Sequence, residues 1–276
     1  MSNLRNYWDS LSSEADAVSV EESLDKVLTT IERRRRARFL PPALLALAVL
    51  ITAGVITIRP STGPELIQCY VPNGQQRQLT LPDGTLVSLG AGSSVVYPEK
   101  FGCGNRSVIF SGEAIFEVAK DARHPFIVRT PGFEVEVLGT VFDISAWPEL
   151  GQGSVVLSEG SVRIRHQGTE TTLVPGQKAD ISSGGSVGIS NVDPSDYMSW
   201  NRGGYVLERA GIDDIIRLLE RTYGVEVRCS YSEKFRTVCI TARSETERPI
   251  GEFLTLLAEL IPGMKYEITD ETIYIY

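Results

Sequence analysis

Ser107-Val108-Ile109-Phe110-Ser111-Gly112-Glu113-Ala114-Ile115-Phe116-Glu117-Val118 carries the clearest strand pattern in the chain. Two apolar runs, 107–110 and 114–118, flank Ser111-Gly112, a pair suited to a tight turn. Alternation with a period of two marks strands with one buried face. The pattern recurs on both sides. Upstream stand Gln78-Leu79-Thr80-Leu81 and Leu86-Val87-Ser88-Leu89, separated by Pro82-Asp83-Gly84-Thr85. Downstream come Glu134-Val135-Glu136-Val137 and Val162-Arg163-Ile164-Arg165, with Glu159-Gly160 and Pro175-Gly176 as further turn pairs. Many short strands at intervals of about 8–12 residues, with no helical pattern before Asp196, predict an antiparallel β-sandwich or β-roll over 66–192.

The pattern changes near Trp200. Tyr205-Val206-Leu207 reads as a strand leading into a helix over 212–223, with Ile212, Ile215, Ile216, Leu218 and Leu219 on its core side and Gly224 as its stop. Strands over 225–228 and 238–241, a helix over about 249–260 closed by Pro262-Gly263, and strands near 265–268 and 272–276 complete a βαββαββ order. This is a small α+β domain at 200–276.

The other end of the chain is different. Residues 39–58, FLPPALLALAVLITAGVITI, run 20 residues without a charge, the length that crosses a ~30 Å hydrocarbon core as a helix. Arg33, Arg34, Arg35, Arg36 and Arg38 precede the run and only Arg59 closely follows, which places the N-terminus in the cytoplasm and the remainder across the membrane. A cleaved signal peptide would have a short leader before a core of about 7–15 residues. Here 38 residues come first. The fold class expected for the chain is therefore mainly β plus α+β with a single transmembrane helix: 1–38 cytoplasmic, 39–58 spanning, 59–65 linker, then the two outer domains in the periplasm beyond an inner membrane. Inside the span, Thr52, Gly54 and Thr57 weaken the outer half of the helix, either simply as the small residues common in membrane helices or as a spot that eases unwinding for an intramembrane protease.

Within 1–38, Leu4, Tyr7, Trp8 and Leu11 share one helical face, as do Val20, Leu24, Val27, Leu28 and Ile31, and Ser19 with Glu22 forms a capping box. Helices this short are marginal alone in water, so their apolar faces are expected to dock on a partner protein or the bilayer surface.

The net charge of −8, with 20 Lys/Arg against 28 Asp/Glu in residues 59–276, argues against a direct nucleic-acid partner. Cys69, Cys103, Cys229 and Cys239 all lie on the exported side, where disulfides persist. Four cysteines allow three pairings, and four free thiols are the alternative; Cys69–Cys103 with Cys229–Cys239 keeps each bridge within one domain. None falls at a metal-ligand spacing. His124 and His166 read as loop or surface residues. Glu113 and Glu117 point to one face of a strand without requiring acid–base chemistry. No catalytic constellation, cofactor site or metal site is expected, and an enzyme is not indicated.

The ordered motifs Leu81-Pro82-Asp83-Gly84-Thr85, Gly112-Glu113-Ala114 running to Phe116-Glu117-Val118, Pro125-Phe126 with Val128, Val137-Leu138-Gly139-Thr140 with Phe142, Glu159-Gly160 and Pro175-Gly176-Gln177 resemble the FecR family of transmembrane anti-sigma regulators over roughly 66–190. Residues 200–276 are similar to the small domain that follows in such proteins, of secretin/TonB short N-terminal type. The resemblance implies a relay from a TonB-dependent outer-membrane transporter, through its signalling domain, to an extracytoplasmic-function sigma factor, with an intramembrane protease as a further partner. Family members usually carry a longer cytoplasmic helical domain, so Leu4, Trp8, Leu11, Leu24, Val27 and Leu28 are the expected sigma-factor contacts of a shortened clamp. The competing reading is a membrane-tethered β domain that binds a glycan or small ligand and has no sigma-factor role.

Overall fold

The structure, a computed structural model, describes residues 65–102, 106–149, 152–230, 235, 237–245 and 248–276. The expected cytoplasmic helices and the apolar run 39–58 lie outside them. Among the described residues no helix is long and apolar enough to cross a membrane.

Thirteen strands build the larger domain. They are β1 (Leu66–Tyr70), β2 (Arg77–Thr80), β3 (Leu86–Leu89), β4 (Ser94–Pro98), β5 (Arg106–Glu117), β6 (Phe126–Arg129), β7 (Glu134–Val137), β8 (Val141–Trp147), β9 (Gln152–Glu159), β10 (Val162–His166), β11 (Thr169–Leu173), β12 (Gln177–Ile181) and β13 (Val187–Asn191). They form two layers that share β5. One runs β1-β4-β5-β6-β7-β10-β11 and the other β2-β3-β5-β8-β9-β12-β13. Pairing is antiparallel except between β5 and β6.

The stretch expected to be two strands around a turn is thus one strand that changes layers. Its first half pairs with β4 and β6, its second with β3 and β8. Gly112 stands at the change with φ +116°, and a Cβ there would lie 2.3 Å from Ser93 Oγ and 2.6 Å from Ser93 Cα. The buried Ser93 hydroxyl donates to the Glu113 carbonyl and accepts from the Glu113 N–H, both at 2.9 Å, so the bend keeps its polar groups satisfied. Ser111-Gly112 therefore bends the ladder without ending it.

Between the layers, Phe110, Phe116, Phe126 and Phe142 are fully buried. Phe116 stacks on Phe142 at 5.4 Å between centroids, meets Phe110 edge-on at 5.6 Å and reaches Phe126 of the other layer at 6.1 Å. Each such side chain contributes on the order of 2–3 kcal/mol by leaving water. At one edge of this core the Pro82-Asp83-Gly84-Thr85 turn does more than reverse the chain. Asp83 accepts from Thr85 N at 3.0 Å and Thr85 Oγ1 at 2.8 Å, and pairs with the buried Arg106 guanidinium at 2.9 Å. Arg106 also donates to the carbonyls of Ala119 and His124.

The smaller domain follows a short helix α1 (Pro194–Tyr197) and a 3-10 helix (Met198–Arg202). Its elements are β14 (Tyr205–Ala210), α2 (Ile212–Tyr223), β15 (Glu226–Cys229), β16 (Ile240–Ser244), α3 (Ile250–Leu260), β17 (Tyr266–Thr269) and β18 (Thr272–Ile275). β14 pairs with β16, while β15, β18 and β17 form a second sheet in which β15 and β18 are parallel. Asp214 accepts from the Gly211 N–H at 3.0 Å at the start of α2, and Gly224 closes it at φ +68°. Ile215, Leu219, Phe253, Leu254 and Leu257 from the two helices are fully or almost fully buried in a core separate from that of the sandwich.

Cys69, Cys229 and Cys239 are free thiols. The expected Cys229–Cys239 bridge is not formed: Cys229 ends β15 in one sheet, and the exposed Cys239 immediately precedes β16 in the other. Cys69 is buried in the sandwich core, and Cys103 lies outside the described residues.

Candidate functional site

The two outer faces of the sandwich differ in chemistry. On the β10 side an exposed ladder joins Arg163 to Glu136 at 2.8 Å, and Arg165 to Glu134, Glu136 and Glu170 at 3.1, 2.7 and 2.8 Å. On the opposite outer face Ile115, Asp143, Val156 and Lys178 are buried. Strand alternation turns all four away from the sandwich core, and the smaller domain docks on this face.

Three anchors hold that dock. In the first, the α1 and 3-10 segment presents Trp200, whose indole Nε1–H donates to Asp143 Oδ2 at 2.8 Å; Gln76 Nε2 donates to the Trp200 carbonyl at 2.8 Å. Gly90 packs beside the indole: a Cβ there would lie 3.4 Å from Trp200 Cζ3 and 3.2 Å from the Glu113 carbonyl oxygen. In the second, Lys178 pairs with Glu208 of β14 at 2.6 Å and lies 4.9 Å from the Tyr197 ring centroid, while the Tyr197 hydroxyl donates to Glu208. In the third, the Arg221 guanidinium of α2 covers the Trp147 ring at 3.4 Å and pairs with Glu149 at 2.5 Å. The Gly74 N–H donates to the Arg221 carbonyl at 2.7 Å. The two domains belong to one compact unit.

Electrostatics concentrate under Trp200. Glu113 and Asp143 lie on paired strands, with Glu113 opposite Ser145, and so are diagonal neighbours on the docked face. Burial holds the Asp143 carboxyl well above the ordinary carboxylate range and the nearby Glu113 charge adds to this, against the Trp200 hydrogen bond. Glu113 is pushed up to about 7 by burial, with the Arg221 charge opposing. Burial, then the hydrogen bond to Glu208, pushes Tyr197 up to about 12. Between the anchors a cleft of about 760 Å³ is lined by Glu113, Trp147, Tyr197, Trp200 and Arg221, among others.

The sequence-predicted contacts Leu4, Trp8, Leu11, Leu24, Val27 and Leu28 lie outside the described residues. Of the two carboxylates paired by sequence, Glu117 is exposed and only Glu113 faces the junction. His124 is exposed, its Nδ1 at 2.8 Å from Asp121, and that hydrogen bond is the largest cause holding Asp121 down to about 2. His166 is not a surface residue. It is buried with Nδ1 at 2.8 Å from the Gly132 carbonyl and Nε2 at 3.1 Å from that of Ser182, tying two turns together. Among the described residues no group of three or more His, Cys, Asp or Glu side chains is placed to hold a metal ion. Sequence reasoning missed Asp143, Trp200 and Arg221. The available signals were an aspartate inside the apolar run Val141-Phe142-Asp143-Ile144 and the unalternating Val155-Val156-Leu157, which requires both faces of a strand to be covered.

Comparison with known proteins follows the same two-domain division. Residues 68–163 match the model of the FecR protein family, and residues 204–275 match that of the FecR C-terminal region. The docking segment with Tyr197 and Trp200 lies between them. A protein of Parabacteroides distasonis described as a candidate anti-sigma factor, known from a 2.50 Å crystal structure, is 30% identical at a TM-score of 0.72, over 77% of this chain and 99% of that one. A 1.65 Å structure, likewise of a candidate anti-sigma factor of that organism, matches at 30% identity and TM-score 0.71, over 76% and 98%. No curated protein matches this chain. With both family regions matched in order on two docked domains, and a relative covered over nearly its whole length, the chain belongs to the FecR family.

Proposed function

We propose that this protein is a single-pass inner-membrane anti-sigma regulator that relays a signal from a TonB-dependent outer-membrane transporter to an extracytoplasmic-function sigma factor. The observation that carries the reading is the likeness of the docked two-domain unit to a protein described as a candidate anti-sigma factor. Consistent with a relay, this unit follows directly on the run 39–58 and its five preceding arginines. In this reading residues 1–38 grip the sigma factor through the faces of Leu4, Trp8, Leu11, Leu24, Val27 and Leu28, the periplasmic unit receives the transporter's signalling domain, and an intramembrane protease acts in the span.

The test uses the full chain co-expressed with the extracytoplasmic-function sigma factor encoded in a neighbouring reading frame. Pull-down from solubilised membranes retains the sigma factor, and Trp8→Ala combined with Leu24→Ala reduces retention at least tenfold. A reporter driven by that sigma factor changes output when residues 1–32 are deleted. No retention together with unchanged reporter output would overturn the proposal and favour a tethered ligand-binding module.

A further inference from the structure

Asp143 and Glu113 are set on the sandwich, where the smaller domain covers the buried Asp143 and leaves Glu113 half-buried at the cleft. Trp200 seats on Asp143 at 2.8 Å and, among the described residues, is its hydrogen-bond donor. The Glu113 carboxyl lines the cleft and, among the described residues, has neither a hydrogen-bond nor an ion-pair partner. Two neighbouring carboxylates beside one indole resist carrying two charges, because burial disfavours the charged form and the Glu113 charge further raises Asp143.

Of the surrounding charges, Arg221 opposes the effect of burial on Glu113 without overcoming it. From α2 come Arg221, committed to Trp147 and Glu149, and Arg217, paired with Asp214 at 2.6 Å. The 3-10 helix contributes Arg202 to the cleft. Farther along the dock Lys178 is held between Asp180 at 3.1 Å and Glu208 at 2.6 Å. No described cation forms an ion pair with either carboxylate.

We propose that the junction is a proton-coupled latch: docking the smaller domain on the sandwich takes up a proton held by the Glu113 and Asp143 pair, so acid tightens the contact and alkali loosens it. The direction follows from linkage. A carboxyl raised in the docked state binds more protons there than when released, so docking is strongest below its released value and weakens as pH rises toward about 7 for Glu113. For Glu113 alone this amounts to docking roughly 30-fold weaker at pH 8 than at pH 5.5. The latch lies entirely within the two periplasmic domains, so its operation does not depend on a sigma factor or transporter.

The reporter of docking is the Gly74 amide, which donates across the junction to the Arg221 carbonyl. Hydrogen exchange of the full chain in detergent micelles, corrected for the intrinsic pH dependence of exchange, should show Gly74 protection falling by roughly 30-fold between pH 5.5 and 8. Amides within the sandwich, such as Ile144, should not follow. Glu113→Gln should shrink the pH dependence of Gly74 protection, because Asp143 stays buried and raised, and Glu113→Gln with Asp143→Asn should abolish it. Asp143→Asn, which retains an acceptor for Trp200, should also shrink the change by removing the buried Asp143 carboxyl itself. Gly74 protection that is independent of pH in the wild-type chain, or that falls equally in the variant carrying both Glu113→Gln and Asp143→Asn, would overturn the latch.

Discussion

Gly112 is a residue for which no other side chain is available. Its φ of +116° is unfavourable for any L side chain, and the space a Cβ would occupy already holds Ser93, 2.3 Å away at Oγ. Gly112→Ala is therefore expected to lower stability by about 3 kcal/mol or more, read as a lower midpoint in thermal unfolding of the sandwich followed by near-UV circular dichroism. Adding Ser93→Gly should recover only part of the loss, because it removes the overlaps with Oγ and Cβ but leaves the Cα at 2.6 Å, the backbone strain and two lost hydrogen bonds. The sequence marks Gly112 as special but not why. Ser93 is remote in sequence, and its packing against the bend appears only once the layers are assembled. The same holds for Asp83, legible as a turn residue, whose second task is to face the Arg106 guanidinium across the core's edge.

Strand β5 explains where period-two reading stops. Val108, Phe110, Ala114 and Phe116 all point to the core, so the alternation is unbroken through Ser111-Gly112; a hairpin and a layer-changing strand share that pattern. What distinguishes them is which neighbours complete the ladder, β4 and β6 before the bend and β3 and β8 after it, and those partners are nonlocal. Helices α2 and α3 were legible because their periodicity, Gly stop and Pro-Gly closure are local. The outer faces show the other limit. Exposed charges on β7 and β10 form pairs that water already satisfies, so Arg163→Ala should change unfolding stability by no more than about 0.5 kcal/mol in the same thermal assay. A larger loss would mean that this ladder, with Arg163 and Arg165 on Glu134 and Glu136, acts as one network.

At the scale of the whole molecule, two cores meet through three anchors, borne on the short segment with Tyr197 and Trp200, on β14 and on α2. The smaller domain's core is formed by residues between Tyr205 and Ile275, and a domain of this size buries a modest fraction of its surface, so it is marginal without support. The sandwich has a larger core of its own, running from Cys69 to Ile181. Support therefore flows mainly one way, from sandwich to smaller domain, through Trp200, Lys178 with Glu208, and Arg221 with Trp147. Trp200→Ala removes the indole and leaves Asp143 buried without its donor, a loss on the order of 3–5 kcal/mol in docking. Because the sandwich core is untouched, calorimetry of the full chain in micelles should show the sandwich transition within about 2 °C of wild type, with the smaller domain melting separately and earlier. Gly74 protection should be lost in this variant at every pH, whereas Glu113→Gln combined with Asp143→Asn abolishes only its pH dependence; a single cooperative transition in Trp200→Ala would mean that the other two anchors suffice to couple the domains.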